Sequence, residues 1–136
     1  MKRITSSILA ILATVLLTSG ISTAYAQYAQ DSVIFSMGMV LTMEVNGTTG
    51  CAVQSAVVEK GGFCWELGFS SDTHRLLIDR TLGKYSDIRL LSPWMGIEAD
   101  AAYRMFEFDD EMFLVMVMPN SEYRSSGVLL RFFAED

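Results

Sequence analysis

The sequence predicts a mainly β domain, a small antiparallel sandwich or barrel-like sheet with one short helix near residues 97–106, and α+β is the alternative fold class. Three observations support this prediction. Several segments of strand length alternate apolar and polar residues or are apolar throughout, with turn residues between them. The only two cysteines, Cys51 and Cys64, lie close together in the chain. Apolar residues at helical spacing are clearest over a short stretch in the second half, residues 97–106.

The first 26 residues have the three parts of a secretory signal peptide. Lys2-Arg3 is basic, Ile8 to Leu17 is apolar, and Ala24-Tyr25-Ala26 matches an A-x-A cleavage site. The apolar run is shorter than the ~20 residues of a membrane-spanning helix. We therefore expect cleavage after Ala26, one domain over residues 27–136, a secreted or periplasmic location and no membrane insertion after cleavage.

Val33 to Val45 has an apolar side chain at every second position. This period of two predicts a strand with one face in the core. Asn46-Gly47, which follows, is a strong signal for a hairpin turn. Asn46-Gly47-Thr48 also matches the N-x-T glycosylation pattern, and we favour the turn interpretation.

Cys51 and Cys64 are expected to form a disulfide, because an isolated cysteine pair in an oxidising compartment is normally paired. A simple hairpin through residues 59–62 would place these cysteines about 20 Å apart along the ladder. A disulfide needs Cα atoms roughly 4.4 to 6.8 Å apart. We therefore predict a folded-back loop or short helix over residues 48–62, followed by a strand from Phe63 to Phe69 with large apolar groups on one face.

Further strands are predicted in the second half of the chain, at His74 to Arg80, Asp87 to Leu91, Met112 to Met118 and Val128 to Phe133. The third of these is apolar on both faces, as a central strand would be, and Pro119-Asn120-Ser121 is expected to end it.

Residues 97–106 are the best helix candidate. Ser92-Pro93 can begin a helix, since proline is tolerated in the first turn. One helical face would carry Ile97, Ala101, Ala102, Met105 and Phe106. The competing interpretation is a strand from Tyr103 to Phe108 that pairs across Asp109-Asp110.

Charge favours a cationic partner. Removal of Lys2-Arg3 takes the formal charge from −6 to −8, which argues against nucleic acid and anionic membranes as partners. The densest carboxylate cluster consists of Glu107, Asp109, Asp110 and Glu111. It is either a solvated loop or a docking site for a basic partner. Trp94 is a further candidate binding residue if its side chain is exposed. The alternative is that the side chain is buried and packs beneath its loop.

Chemical motifs are sparse in this chain. The segment from Ser70 to His74 gathers hydroxyls, a carboxylate and the only imidazole, but the same residue types are common in turns. Methionines at same-face spacing suit either Cu(I) or core packing, and we favour packing. With one histidine and two cysteines, a zinc site of the usual composition is nearly excluded. We predict no catalytic residue, no metal and no cofactor.

These observations favour a small secreted or periplasmic acidic binding protein, such as an inhibitor or immunity-type partner of a cationic protein. The acidic, β-rich profile with a signal peptide and one disulfide resembles that of small periplasmic inhibitors of lysozyme-type hydrolases. The alternatives are a small extracytoplasmic enzyme that uses His74, and a structural or oligomerising envelope component.

Overall fold

The computed structural model describes residues 32–132, so the expected signal peptide lies outside the described residues. Within them the chain forms a seven-stranded antiparallel sheet and three α-helices. The helices are α1 (Ser32–Glu44), α2 (Gln54–Glu59) and α3 (Ser71–Gly83). The strands are β1 (Thr48–Thr49), β2 (Phe63–Leu67), β3 (Ile88–Leu90), β4 (Met95–Gly96), β5 (Ala102–Phe108), β6 (Glu111–Ser121) and β7 (Arg124–Phe132). The predicted antiparallel, β-rich fold is confirmed, and the helices fit the α+β alternative.

The strand order is β1-β2-β7-β6-β5-β3, and β4 pairs with the beginning of β5. Strand β6 is therefore central, as predicted, but it continues past Pro119 to Ser121 through a register shift. The inner face of the sheet packs against α1 and α3. The outer face is covered in part by α2, whose Val57 packs with Cys64 and Val128.

The main core lies between the inner face and the two long helices. The sheet contributes large, fully buried side chains, and the helices cover them with aliphatic ones. The principal members are Phe63, Trp65, Phe106, Phe113, Val115 and Leu129 from the sheet, with Ile34, Leu41, Ile78 and Leu82 from the helices. Phe106 and Phe113 are cross-strand neighbours with stacked rings whose centroids lie 5.5 Å apart.

The strand predicted for Val33 to Val45 is wrong, because this segment forms helix α1. Its buried residues follow a helical spacing through Ile34, Gly38 and Leu41. Most residues between them are apolar as well and pack partly against the core. The sequence therefore has an apolar residue at every second position, as a strand would. Asn46 has a φ of 58° and follows the helix end, where left-handed residues are common, so Asn46-Gly47 does not connect two strands.

The strand predicted for His74 to Arg80 is also wrong, because these residues lie within α3. Ser70 caps the helix by accepting a 3.3 Å hydrogen bond from the Thr73 backbone N–H. Asp72 in the first turn and Arg80 in the last have the charges that a helix favours at those ends. The buried residues His74, Ile78, Thr81 and Leu82 form one helical face.

The helix predicted near residues 97–106 is replaced by a 3-10 turn at Glu98–Asp100 and by strand β5. Ser92-Pro93 does not begin a helix. The competing prediction, a strand paired across Asp109-Asp110, is confirmed. Both aspartates have positive φ, 54° and 61°, as a type I′ hairpin turn requires.

The predicted disulfide between Cys51 and Cys64 is confirmed, with a Cα–Cα distance of 5.8 Å. The short helix expected between the cysteines is α2. A loop closed over a sequence separation of 13 residues stabilises the fold by about 3 kcal/mol in the chain-entropy account.

A chain of hydrogen bonds crosses the core from β2 to β7. The Trp65 indole N–H donates to His74 Nε2 at 2.8 Å, so the ring proton of His74 lies on Nδ1. His74 Nδ1 lies 2.9 Å from the Ser125 hydroxyl, which in turn donates to the Phe69 carbonyl at 2.9 Å. His74 is 0% exposed, and burial lowers its pKa to about 4. The neutral imidazole is thus a structural link between α3 and the sheet.

Stability should fall as the pH drops from about 6.5 to about 4, because the unfolded chain then binds a proton at His74 that the folded chain does not. The contribution is fully present above pH 6.5 and amounts to on the order of 3 kcal/mol. Urea unfolding across this range measures it. His74→Gln should lose this part of the pH dependence while other acid effects persist. Identical pH dependence in the two proteins would contradict the assignment.

Gly38→Ala should destabilise the protein although alanine is the better helix former. A Cβ at position 38 would lie 2.3 Å from a ring atom of Phe63, which is fully buried. We expect a loss of about 1 to 3 kcal/mol in thermal or urea unfolding. Gly83→Ala is the matched control, since a Cβ there meets nothing within 4 Å. Equal effects of the two substitutions would exclude a steric role for Gly38.

Candidate binding site

The β5–β6 hairpin brings the four predicted carboxylates to one end of the sheet. Glu107 is paired with Arg89, Nη2 to Oε1 at 3.0 Å, and Glu111 is paired with Arg131. Asp109 and Asp110 form the exposed tip and have no side-chain partner among residues 32–132. Two of the four charges are therefore neutralised, and two remain free for a ligand.

A third free carboxylate lies beside this tip. Ile88 of β3 pairs with Phe108 of β5 as the last pair of the antiparallel ladder, and Asp87 and Asp109 are the residues that directly flank this pair. Asp87 is exposed and also has no side-chain partner in the described part of the chain. We call Asp87, Asp109 and Asp110 the acidic end. Sequence reasoning missed Asp87 because its position depends on the β3–β5 register.

Trp94 lies elsewhere, next to the beginning of β5. Its indole N–H lies 3.0 Å from both carboxylate oxygens of Asp79, which also receives a 2.8 Å hydrogen bond from Arg104 Nη1. Arg104 is five residues from Asp109, about 17 Å along the strand. Trp94 is half-buried against α3, so it does not join the predicted carboxylates in one site.

A polar cleft of about 710 Å³ lies beside Trp94. Its walls combine hydroxyl, carboxylate and guanidinium groups from the start of α3, the 3-10 turn and the end of β6. They include Ser70, Asp72, Arg75, Asp100 and Glu122. Arg75 is paired with Asp72, so its charge is already compensated. The cleft was not predicted because its walls come from distant segments.

A second concavity is an apolar groove of about 440 Å³ between α1, the end of α3 and the β3–β5 edge. Val33, Met37 and Val40 line one wall, and Tyr85 and Phe108 lie on the other side. Asp87 of the acidic end also lines it. The groove was not predicted from the sequence, because the residues of its α1 wall were predicted to form a strand.

His74 lies outside both concavities and is hydrogen-bonded through both ring nitrogens. A catalytic histidine must reach its substrate, so the geometry gives this residue a structural role instead. Within residues 32–132 no group of three His, Cys, Asp or Glu side chains is arranged to hold a metal ion. None of the helices described is long and apolar enough to span a membrane.

In comparisons with protein families, curated proteins and solved structures, the chain matches none of them.

Proposed function

We propose that this protein is a small secreted or periplasmic acidic binding protein whose partner is a cationic protein. The observation that carries the proposal is the acidic end, where Asp87, Asp109 and Asp110 are exposed and have no side-chain partner in the described chain. Ion pairs with Arg89 and Arg131 neutralise the adjacent Glu107 and Glu111, so these three aspartates are the uncompensated charges at this end of the sheet.

The location is supported by the disulfide, which persists in oxidising compartments. Cleavage of the expected signal peptide after Ala26 is part of the proposal, and it makes the working chain more acidic by removing Lys2-Arg3. An inhibitor or immunity-type role suits this arrangement, since each requires rapid and selective capture of one protein.

Charge at the acidic end would act mainly on the association rate and on partner selection. Affinity in protein interfaces comes largely from buried apolar anchors. The apolar groove adjoins Asp87 and supplies apolar surface within reach of a partner that approaches the acidic end.

An oligomerising envelope component is the second candidate, and the outer face of the sheet favours it. Met105, Leu114 and Leu130 form a cross-strand row there, and all three are half-buried. Phe132 on the same face is 41% exposed. Apolar sheet faces of this kind are typical of subunit interfaces.

Light scattering tests this candidate. If the outer face joins two copies, the mass should rise with concentration towards that of a dimer, and Leu114→Gln should lower it because the replacement puts an amide into the apolar row. A mass that stays monomeric at every concentration would remove the candidate.

Replacement of Asp109 and Asp110 by asparagine should slow association with the cationic partner about tenfold and flatten its dependence on salt. Asparagine tolerates positive φ, so the turn is preserved. The partner is first retained from the secreted or envelope fraction at low salt, and surface plasmon resonance then gives the two rate constants.

The matched control is Glu98→Gln with Asp100→Asn, which removes the same charge from the 3-10 turn at the other end of β5 and also alters a residue with positive φ. It should leave the association rate close to that of the wild type. Equal slowing by both pairs, or no cationic protein retained at low salt, would refute the proposal.

A further inference from the structure

The apolar groove has the dimensions of a site for a single aliphatic chain. Its α1 wall runs from Val33 to Val40, about 10 Å along the helix axis. The volume of the groove is about 440 Å³. A group the size of a water molecule occupies roughly 30 Å³, so the groove has room for about fifteen such groups. Pockets of this size and apolar lining are typical of small-molecule sites.

The lining is adaptable and partly accessible. Met37 contributes a flexible thioether that can adjust to the shape of a ligand. Val40 and Tyr85 are each 39% exposed, so a ligand can reach the groove and cover apolar surface that solvent now contacts. Burial of that surface is the favourable contribution to binding.

The carboxylate that lines the groove selects the ligand's head group. Asp87 lines the groove, and Asp109 directly follows Phe108, another lining residue, which pairs with Ile88 next to Asp87. The nearby cation Lys84 is paired with Glu44, the last residue of α1. A cationic head group at this end would therefore meet two uncompensated carboxylates, whereas a fatty-acid carboxylate would be repelled by them.

We propose that the groove binds a single-chain amphiphile with a cationic head, the class represented by long-chain alkylammonium ions. The chain lies along Val33, Met37 and Val40, and the ammonium group lies beside Asp87 and Asp109. This site shares Asp87 and the apolar groove with the surface proposed for the cationic protein, but amphiphile binding can be measured without that partner.

Isothermal titration calorimetry of the purified mature protein with dodecylammonium and with dodecanoate, both below their micelle concentrations, tests the site. Dodecylammonium should bind one to one and about tenfold more tightly than dodecanoate, because the two heads differ in the sign of their interaction with the acidic end. Asp87→Asn should weaken dodecylammonium binding about fivefold and strengthen dodecanoate binding.

Val40→Gln should weaken both probes, since it puts an amide into the apolar wall. Met43→Gln is the matched control on the same helix, because Met43 is 73% exposed and does not line the groove. It should leave both affinities unchanged. Thermal unfolding of each variant establishes that it is folded, and Asp87→Asn alters an exposed turn residue.

No saturable binding of dodecylammonium would overturn the proposal. Equal affinity for the two probes with no effect of Asp87→Asn would overturn it too, because the head group would not be recognised. Binding that Val40→Gln leaves unchanged places the amphiphile elsewhere. A dimer that dissociates in the Val40→Gln protein assigns the groove to a second copy of the chain. None of these results bears on the association rate of a cationic protein, so the two proposals fail separately.

Discussion

The hydrogen-bonded chain from Trp65 through His74 to Ser125 is the constraint on which the rest of the structure depends. It joins β2, α3 and β7 through groups that would be costly to bury without partners. The indole fits only because position 127 is glycine, since a Cβ there would lie 2.3 Å from the Trp65 ring. The hydrogen bonds through His74 and the absence of a side chain at Gly127 together fix where α3 lies on the sheet.

The position of α3 in turn determines the shape of both concavities. Its final turn and the following Tyr85 form one side of the apolar groove, while its first turn borders the polar cleft. Asp79, midway along it, anchors Trp94 and Arg104. A helix that was free to slide would alter both concavities at once. The buried imidazole thus affects two concavities that it does not line.

Local signals in the sequence predicted the sheet and the disulfide, with a loop or short helix between the cysteines. They favoured a helix near residues 97–106 and supported the strand that ends at the Asp109-Asp110 turn only as the competing interpretation. The two long helices were missed for different reasons. In α1, apolar residues occupy nearly every side of the helix, so the contrast that reveals a helical period is absent. In α3 the sequence does contain helical signals, namely the Ser70 cap and the buried face that begins at His74. The serine, aspartate and threonine before His74 are also typical of turns, and they favoured a turn followed by a strand. The neighbourhood of Asp87 and Asp109 depends on strand register, which local patterns do not encode.

The disulfide also protects an edge of the sheet. Strand β1 pairs with only Trp65 and Glu66 of β2, so it covers little of that strand's outer edge. The Gly50 N–H donates to the Cys64 carbonyl at 2.9 Å, and Cys51 holds this segment in place through its bond to Cys64. Unpaired backbone groups on an edge strand are a template for pairing with another chain. Oxidation of the cysteine pair thus closes a surface through which reduced chains could associate strand to strand.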